Sequence, residues 1–282
     1  MRDAPFVRSV LHPSDFSEGE HSAFIHALAI VLSRRARFDV LHVVTGDDAL
    51  DDWSQSPRIR ETLERWGLLE PGSARSALHK KLALDVAKIN IRRKDPVKAI
   101  LDDIRENPVD LIVVATEGRD GVPRWLKPSV AEGVQRHANT MTLFVPKGTP
   151  GFVSFEDGRI SLKRVLLPVD TKPSPDASLT YAVRAGVMSH ESPVEIALLH
   201  VGSEGTSAWP SLPELQSCTF TKIERRGNVV EQITAAAEEL SADLIVMATE
   251  ARKGIFGLLR GSVTEKVMRT AGRPVLAVPA RD

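Results

Sequence analysis

Asp110-Leu111-Ile112-Val113-Val114-Ala115-Thr116-Glu117-Gly118-Arg119-Asp120-Gly121 returns 133 residues later as Asp243-Leu244-Ile245-Val246-Met247-Ala248-Thr249-Glu250-Ala251-Arg252-Lys253-Gly254. The correspondence runs without a gap from Arg93 and Arg226 to Pro146 and Pro279. A period of this length is too long for one stacked supersecondary unit, so it predicts two copies of one domain. Each copy carries an apolar strand that runs into a loop of small residues and then a helix. In an open parallel sheet, that junction at the carboxyl edge is where ligands bind.

Around this segment, short apolar runs alternate with longer helical patterns, which predicts parallel sheets with crossover helices. The first half offers strands at Val7–Leu11, Phe38–Val43, Asp85–Arg92, Asp110–Ala115 and Met141–Val145. The second offers Arg164–Val169, Val194–His200, Thr219–Arg225, Asp243–Met247 and Val275–Val278. Several are apolar at almost every position, as expected of strands covered on both faces. Cap signals mark the helices. They are Ser17 with Glu20, Ser174-Pro175, Asn228, and the matched pairs Ser129/Glu132 and Ser262/Glu265, with Asn139 and Gly272 as stops. Two stretches break the symmetry. Residues 45–81 read as an insertion holding one or two helices over the sheet edge. Phe152–Leu162 alternates around Asp157-Gly158, a hairpin signal that would fix the two halves relative to each other.

The composition narrows the function classes. The 282 residues suit two domains of ordinary size, which need neither disulfides nor metals to fold. Lys+Arg and Asp+Glu both number 37, a balance that argues against nucleic acid or an anionic membrane as partner. The single cysteine, Cys218, points to a reducing compartment and has no neighbour that would mark it reactive. No run approaches a spanning helix and the start shows no signal-peptide core, so the expected location is the cytoplasm. His42 and His200 read as satisfied core-edge residues, and His12, His21 and His26 lack zinc spacing. There is no nucleophile elbow, Walker lysine, HExxH site or first-strand G-x-G-x-x-G, which predicts no enzyme and at most slow, incidental hydrolysis.

The ordered motifs resemble the universal stress protein family in a tandem, two-domain form. They are Val10-Leu11-His12-Pro13-Ser14-Asp15 and Val165-Leu166-Leu167-Pro168-Val169-Asp170, then Leu41-His42-Val43-Val44 and Leu199-His200-Val201, and last the loop and serine-capped helix after each fourth strand. The resemblance implies an α/β fold of two Rossmann-like five-stranded parallel sheets, order 3-2-1-4-5, forming an intramolecular pseudo-dimer through Met141–Val145 and Val275–Val278. The expected division is residues 1–148, a hairpin linker 149–162, and residues 163–282.

Nucleotide-binding members of the family carry G-x-x-G, nine residues, then G-[ST] after the fourth strand. The second half reads Ala248-Thr249-Glu250-Ala251, nine residues, Gly261-Ser262; the first reads Ala115-Thr116-Glu117-Gly118, nine residues, Pro128-Ser129. A proline at 128 removes a backbone donor, so the first half is expected to hold phosphate poorly. The resemblance therefore implies a stress-response protein that binds ATP, with Mg2+, or a related adenine nucleotide in its second domain as a regulatory switch. The implied contacts are Pro168, Val169, Asp170, Val201, Ala248, Glu250, Ala251, Arg252, Gly261, Ser262, Val263 and Thr264, with Asp15, Val43, Gly118 and Ser129 as weaker equivalents. The rival expectation is an interaction or scaffold protein whose loops are vestigial. The alanines at 248 and 251 favour it, and Gly261-Ser262 opposes it. Under either reading the protein partner stays open, as does any homodimer beyond the fused pair.

Overall fold

The computed structural model describes residues 7–44, 53, 56, 58–74, 76–116, 140–149, 151–203, 209–249 and 262–280. Ten strands form one sheet. The first half contributes β1 (Ser9–Ser14), β2 (Arg37–Val44), β3 (Asp85–Arg92), β4 (Leu111–Thr116) and β5 (Met141–Pro146). The second contributes β6 (Arg164–Pro168), β7 (Val194–Val201), β8 (Cys218–Arg225), β9 (Leu244–Thr249) and β10 (Val275–Pro279). The order is β3-β2-β1-β4-β5-β10-β9-β6-β7-β8, so each half has the expected 3-2-1-4-5 arrangement. All pairings are parallel except the joint, where β10 runs antiparallel to β5 with Val275 opposite Phe144, Leu276 opposite Leu143 and Ala277 opposite Thr142.

Burial on both faces explains the uninterrupted apolar strands, since every residue of β4 and β5 is buried. One face is covered by α1 (His21–Arg34), α2 (Ile59–Arg65), α3 (Ser76–Leu82) and, in the second half, α5 (Asp176–Met188). The other is covered by α4 (Pro96–Glu106), α6 (Val229–Glu239) and α7 (Val263–Thr270). The core on each face continues across the joint. Phe144 and Val275 lie on the α4/α7 side, and Leu143 and Leu276 on the α1/α5 side.

The caps are as the sequence reads at Asn228, whose side chain accepts the N–H groups of Val230 and Glu231, and at Ser262, whose Oγ accepts from Glu265 at 3.1 Å. Gly272 follows α7 at φ +60, the left-handed stop expected there. Ser174 Oγ accepts the Asp176 N–H at 3.4 Å, one residue before the assigned start of α5. The Ser17–Glu20 capping box does not form. Residues Glu18–Glu20 make a 3-10 turn, and the Glu20 carboxylate turns back to Ser14 and Asp15 instead. The Ser129–Asn139 helix lies outside the described residues.

The linker reverses at Asp157-Gly158. Val153 bridges Ile160, Ser154 N–H donates to the Arg159 carbonyl, and Gly158 takes φ +69. It is held from both sides. Trp66, just past α2, donates its indole N–H to the Phe155 carbonyl at 2.9 Å, and buried His26 accepts the Phe152 N–H on Nε2 at 3.0 Å. From the second half, Ser189 Oγ accepts the Leu162 N–H. The insertion at 45–81 thus supplies α2 and most of α3 and packs on the linker as well as on the sheet.

Candidate functional site

In the second half the carboxyl ends of β6, β7 and β9 meet the start of α7. β6 lies between β7 and β9, so the chain leaves it towards one side of the sheet and later fills the other. This is the switch point where a parallel sheet opens a crevice. Pro168 ends β6, and Val169 is buried, with its N–H on the Leu199 carbonyl. Asp170 is exposed and holds its own turn, accepting the Thr171 N–H at 2.6 Å and the Thr171 hydroxyl at 3.3 Å. Val201 closes β7 and is half-buried; Ala248 is half-buried near the end of β9.

Ser262 caps α7, Val263 is exposed and Thr264 is buried. The first N–H groups of a helix have no acceptor within it, and the macrodipole adds partial positive charge there. Glu265 in that first turn would oppose an anion, but Arg269 pairs with it at 3.1 Å within the same helix. The N-terminus of α7 therefore suits an anion, with Ser262 already committed as a cap. Glu250, Ala251, Arg252 and Gly261 lie outside the described residues, as do Gly118, Pro128 and Ser129.

The first half uses the same edge differently. Asp15 accepts the Ser17 N–H at 2.9 Å, so it holds a turn as Asp170 does. Val43 is half-buried. Glu20, 3 % exposed, bonds Ser14 Oγ and accepts the Asp15 N–H at 2.9 Å. Burial pushes its carboxyl up to about 8, against the Ser14 hydrogen bond that pulls it down and with the Asp15 charge that adds to the rise. Lys147, leaving β5, donates to Ser17 Oγ at 3.4 Å. His12 is fully buried, with Nδ1–H on the Val113 carbonyl and no partner at Nε2; desolvation holds it near 4.

An aromatic cluster absent from the sequence reading crowns this edge. Phe16, at φ +61, stacks on His42 with centroids 4.0 Å apart and lies 5.2 Å from Trp53. Lys88 stands 4.7 Å over Trp53. The second half repeats the outer part of the group, with His200 6.3 Å from Trp209 and Lys222 5.5 Å over the same indole. The recurring signal was present in the sequence. A tryptophan follows each Leu-His-Val, and a lysine falls on each third strand. The two histidines satisfy Nδ1 alike, on the Ser14 and Val169 carbonyls. Among the described residues no group of three His, Cys, Asp or Glu could hold a metal, and no helix is long and apolar enough to cross a membrane. Cys218 is buried, and desolvation raises its thiol.

Comparison with known proteins agrees with this architecture. The family described as the universal stress protein family matches residues 7–146 and 211–279. A universal stress protein of Methanocaldococcus jannaschii, MJ0531, is 27% identical over 147 residues, which are 43% of this chain and 85% of that protein. The crystal structure of a universal stress protein from Archaeoglobus fulgidus superposes with a TM-score of 0.63 at 19% identity, covering 98% of this chain and 99% of its own. A functionally unknown protein of Pseudomonas aeruginosa matches at 0.63 and 14% identity, covering 97% and 93%. At such identities the structural likeness speaks for the fold. The family match, spanning most of the chain and both halves, identifies this protein as a member of the universal stress protein family.

Proposed function

We propose that this protein is a cytoplasmic stress-response protein that binds ATP, with Mg2+, or a related adenine nucleotide in its second domain, and that occupancy rather than chemistry is its output. The domains are residues 1–148 and 163–282, joined by the linker 149–162. The observation that carries this reading is the convergence of β6, β7 and β9 on the N-terminus of α7 at the sheet's switch point. The base would lie against Asp170 and Val201, while the phosphates would face Ala248, Glu250–Arg252 and Gly261–Thr264. Asp170 and Val201 are accessible at the edge, and Arg269 compensates Glu265, so the residues fit such a ligand.

The first domain fits a different role. Phe16, His42 and Trp53 pack against one another where Asp15 and Val43 would otherwise meet a base. This favours an interaction function for that half, as a partner to the second domain.

Calorimetric titration of nucleotide-stripped protein with Mg-ATP tests both statements. One site per chain, abolished in Gly261→Pro, is the expected result. Two equal sites would refute the division of labour between halves. No heat and no rise in melting temperature at millimolar ATP would refute the nucleotide switch and leave the interaction reading for both halves.

A further inference from the structure

Strand register places the two halves residue on residue at their carboxyl edges. Val10 and Val165 stand opposite Leu111 and Leu244 of the repeated strands, which sets Asp15 and Phe16 against Asp170 and Thr171. Phe38 and Ile196 are the β2 and β7 partners of the same two valines, which equates His42 with His200. Their own partners, Val86 and Phe220, equate Lys88 with Lys222. The two tryptophans, which arrive from connecting segments of different length, reach the same place. His42 and Trp53 are 6.4 Å apart at 62°, and His200 and Trp209 are 6.3 Å apart at 73°. A lysine from the third strand covers each indole.

Two near-perpendicular rings make a corner, and in the first half Phe16 fills it. Its ring lies within 12° of parallel to His42 and 5.2 Å from Trp53. That placement depends on a left-handed backbone, φ +61, which costs a non-glycine residue about 1 kcal/mol or more. At the same position in the second half stands Thr171, an exposed residue without a ring, whose hydroxyl turns to Asp170. The His200–Trp209 corner is built to the same dimensions but receives no ring from this position of the chain.

We infer that the corner formed by His200 and Trp209 is a stacking slot for the flat heterocyclic ring of a ligand, and that Phe16 is the side chain that closes the matching slot of the first half. Trp209 and the small residue at 171 are then specificity determinants for a base-bearing ligand. An aromatic wall favours a planar ring of any kind, because every base presents a π face. The inference rests on the nucleotide reading above and adds to it what selects the base and what shuts the first domain.

The test separates the ring from the phosphates. Mg-ATP and inorganic tripolyphosphate are titrated into the wild-type chain, Trp209→Ala, Trp209→Phe and Thr171→Phe, with thermal melts alongside. Thr171→Phe copies the first half's own plug at an exposed site, so the fold is expected to persist and the melt to change little. Loss of one stacked base should weaken ATP binding about tenfold or more in Trp209→Ala and Thr171→Phe, and Trp209→Phe should restore most of it. Tripolyphosphate affinity should be the same in all four. If the wild type binds ATP and both Trp209→Ala and Thr171→Phe bind it within twofold of wild type, the slot is refuted while the nucleotide reading stands. If tripolyphosphate falls in parallel with ATP, the substitutions act on the site as a whole and the slot is again refuted. If the wild type binds neither ligand, the nucleotide reading fails, and the slot fails with it.

Discussion

Replacing Glu20 by glutamine isolates one buried carboxyl and should change the shape of the stability–pH profile rather than only its height. The group is 3 % exposed between β1 and α1, bonded to Ser14 Oγ and to the Asp15 N–H. Burial raises it from 4.5 to about 8, so between those values the folded chain keeps a proton that the unfolded chain releases. Stability from this group is therefore complete below about pH 4.5 and is lost as pH rises towards 8, by about 1.4 kcal/mol per pH unit. Between pH 6.5 and 8 the loss is about 2 kcal/mol, equivalent to roughly 5 °C in melting temperature for a chain of this size. His12 and His26 act in the opposite sense. Both are buried and lowered from 6.5 to about 4, so the unfolded chain binds the extra protons in that window and stability falls with acidification. These groups alone give a profile that peaks near pH 6.5. The glutamine amide can accept from Asp15 and donate to Ser14 without titrating, so Glu20→Gln should keep the acid limb and flatten the alkaline one. Urea denaturation at pH 5 to 9 reads the difference directly, and titrations common to both proteins cancel. A wild-type-minus-variant difference that stays constant from pH 6 to 8 would show that Glu20 is already ionised in the fold and would refute the reasoning.

Other perturbations have equally definite outcomes. Ser262→Ala removes the cap on the Glu265 N–H and should lower stability by about 1 kcal/mol in chemical denaturation, with Ser262→Gly costing only a few tenths. Gly158→Ala forces a side chain into φ +69 with its Cβ 2.5 Å from the Trp66 ring; a loss of about 2–4 kcal/mol is expected, visible as a drop in melting temperature. Arg35 ends α1 in a left-handed conformation, φ 52, while exposed, so Arg35→Gly should stabilise by about 0.5–1 kcal/mol in the same assay. Phe144→Ala opens a void at the β5–β10 joint and should cost about 3–5 kcal/mol in urea denaturation, with fluorescence and circular dichroism showing one transition for both halves.

What the sequence disclosed follows from where the physics is local. Strands buried on both faces have to be apolar throughout, so Asp110–Ala115 and Asp243–Met247 announced themselves twice, and the observed strands begin and end within two residues of those readings except at Ser9–Ser14. Asn228 and Ser262 could be read as caps because their acceptors lie two and three residues away. Glu20 misled because its sequence spacing from Ser17 fits a capping box, whereas its carboxyl finds donors at Ser14 and Asp15 on the strand side. The aromatic corners were hidden for another reason. His42 meets Trp53 across a connection with no fixed period, and Phe16 reaches His42 only through a left-handed φ that no residue pattern announces.

The two halves have diverged where the fold permits it. A substitution in β4, β5, β9 or β10 touches cores that run through the joint, so it is felt by both domains, and the repeated segment stays nearly the same there. The linker adds a further constraint, being hydrogen-bonded to His26 and Trp66 on one side and to Ser189 on the other. The carboxyl edge is free of this coupling, because a side chain added there meets solvent or a loop rather than the shared core. Phe16 against Thr171 and Pro128 against Gly261 both fall on that edge. Both changes fill or stiffen the first half and leave the second smaller and more open. A fused pair can thus dedicate one site to a ligand and the other to packing while the sheet itself stays symmetric.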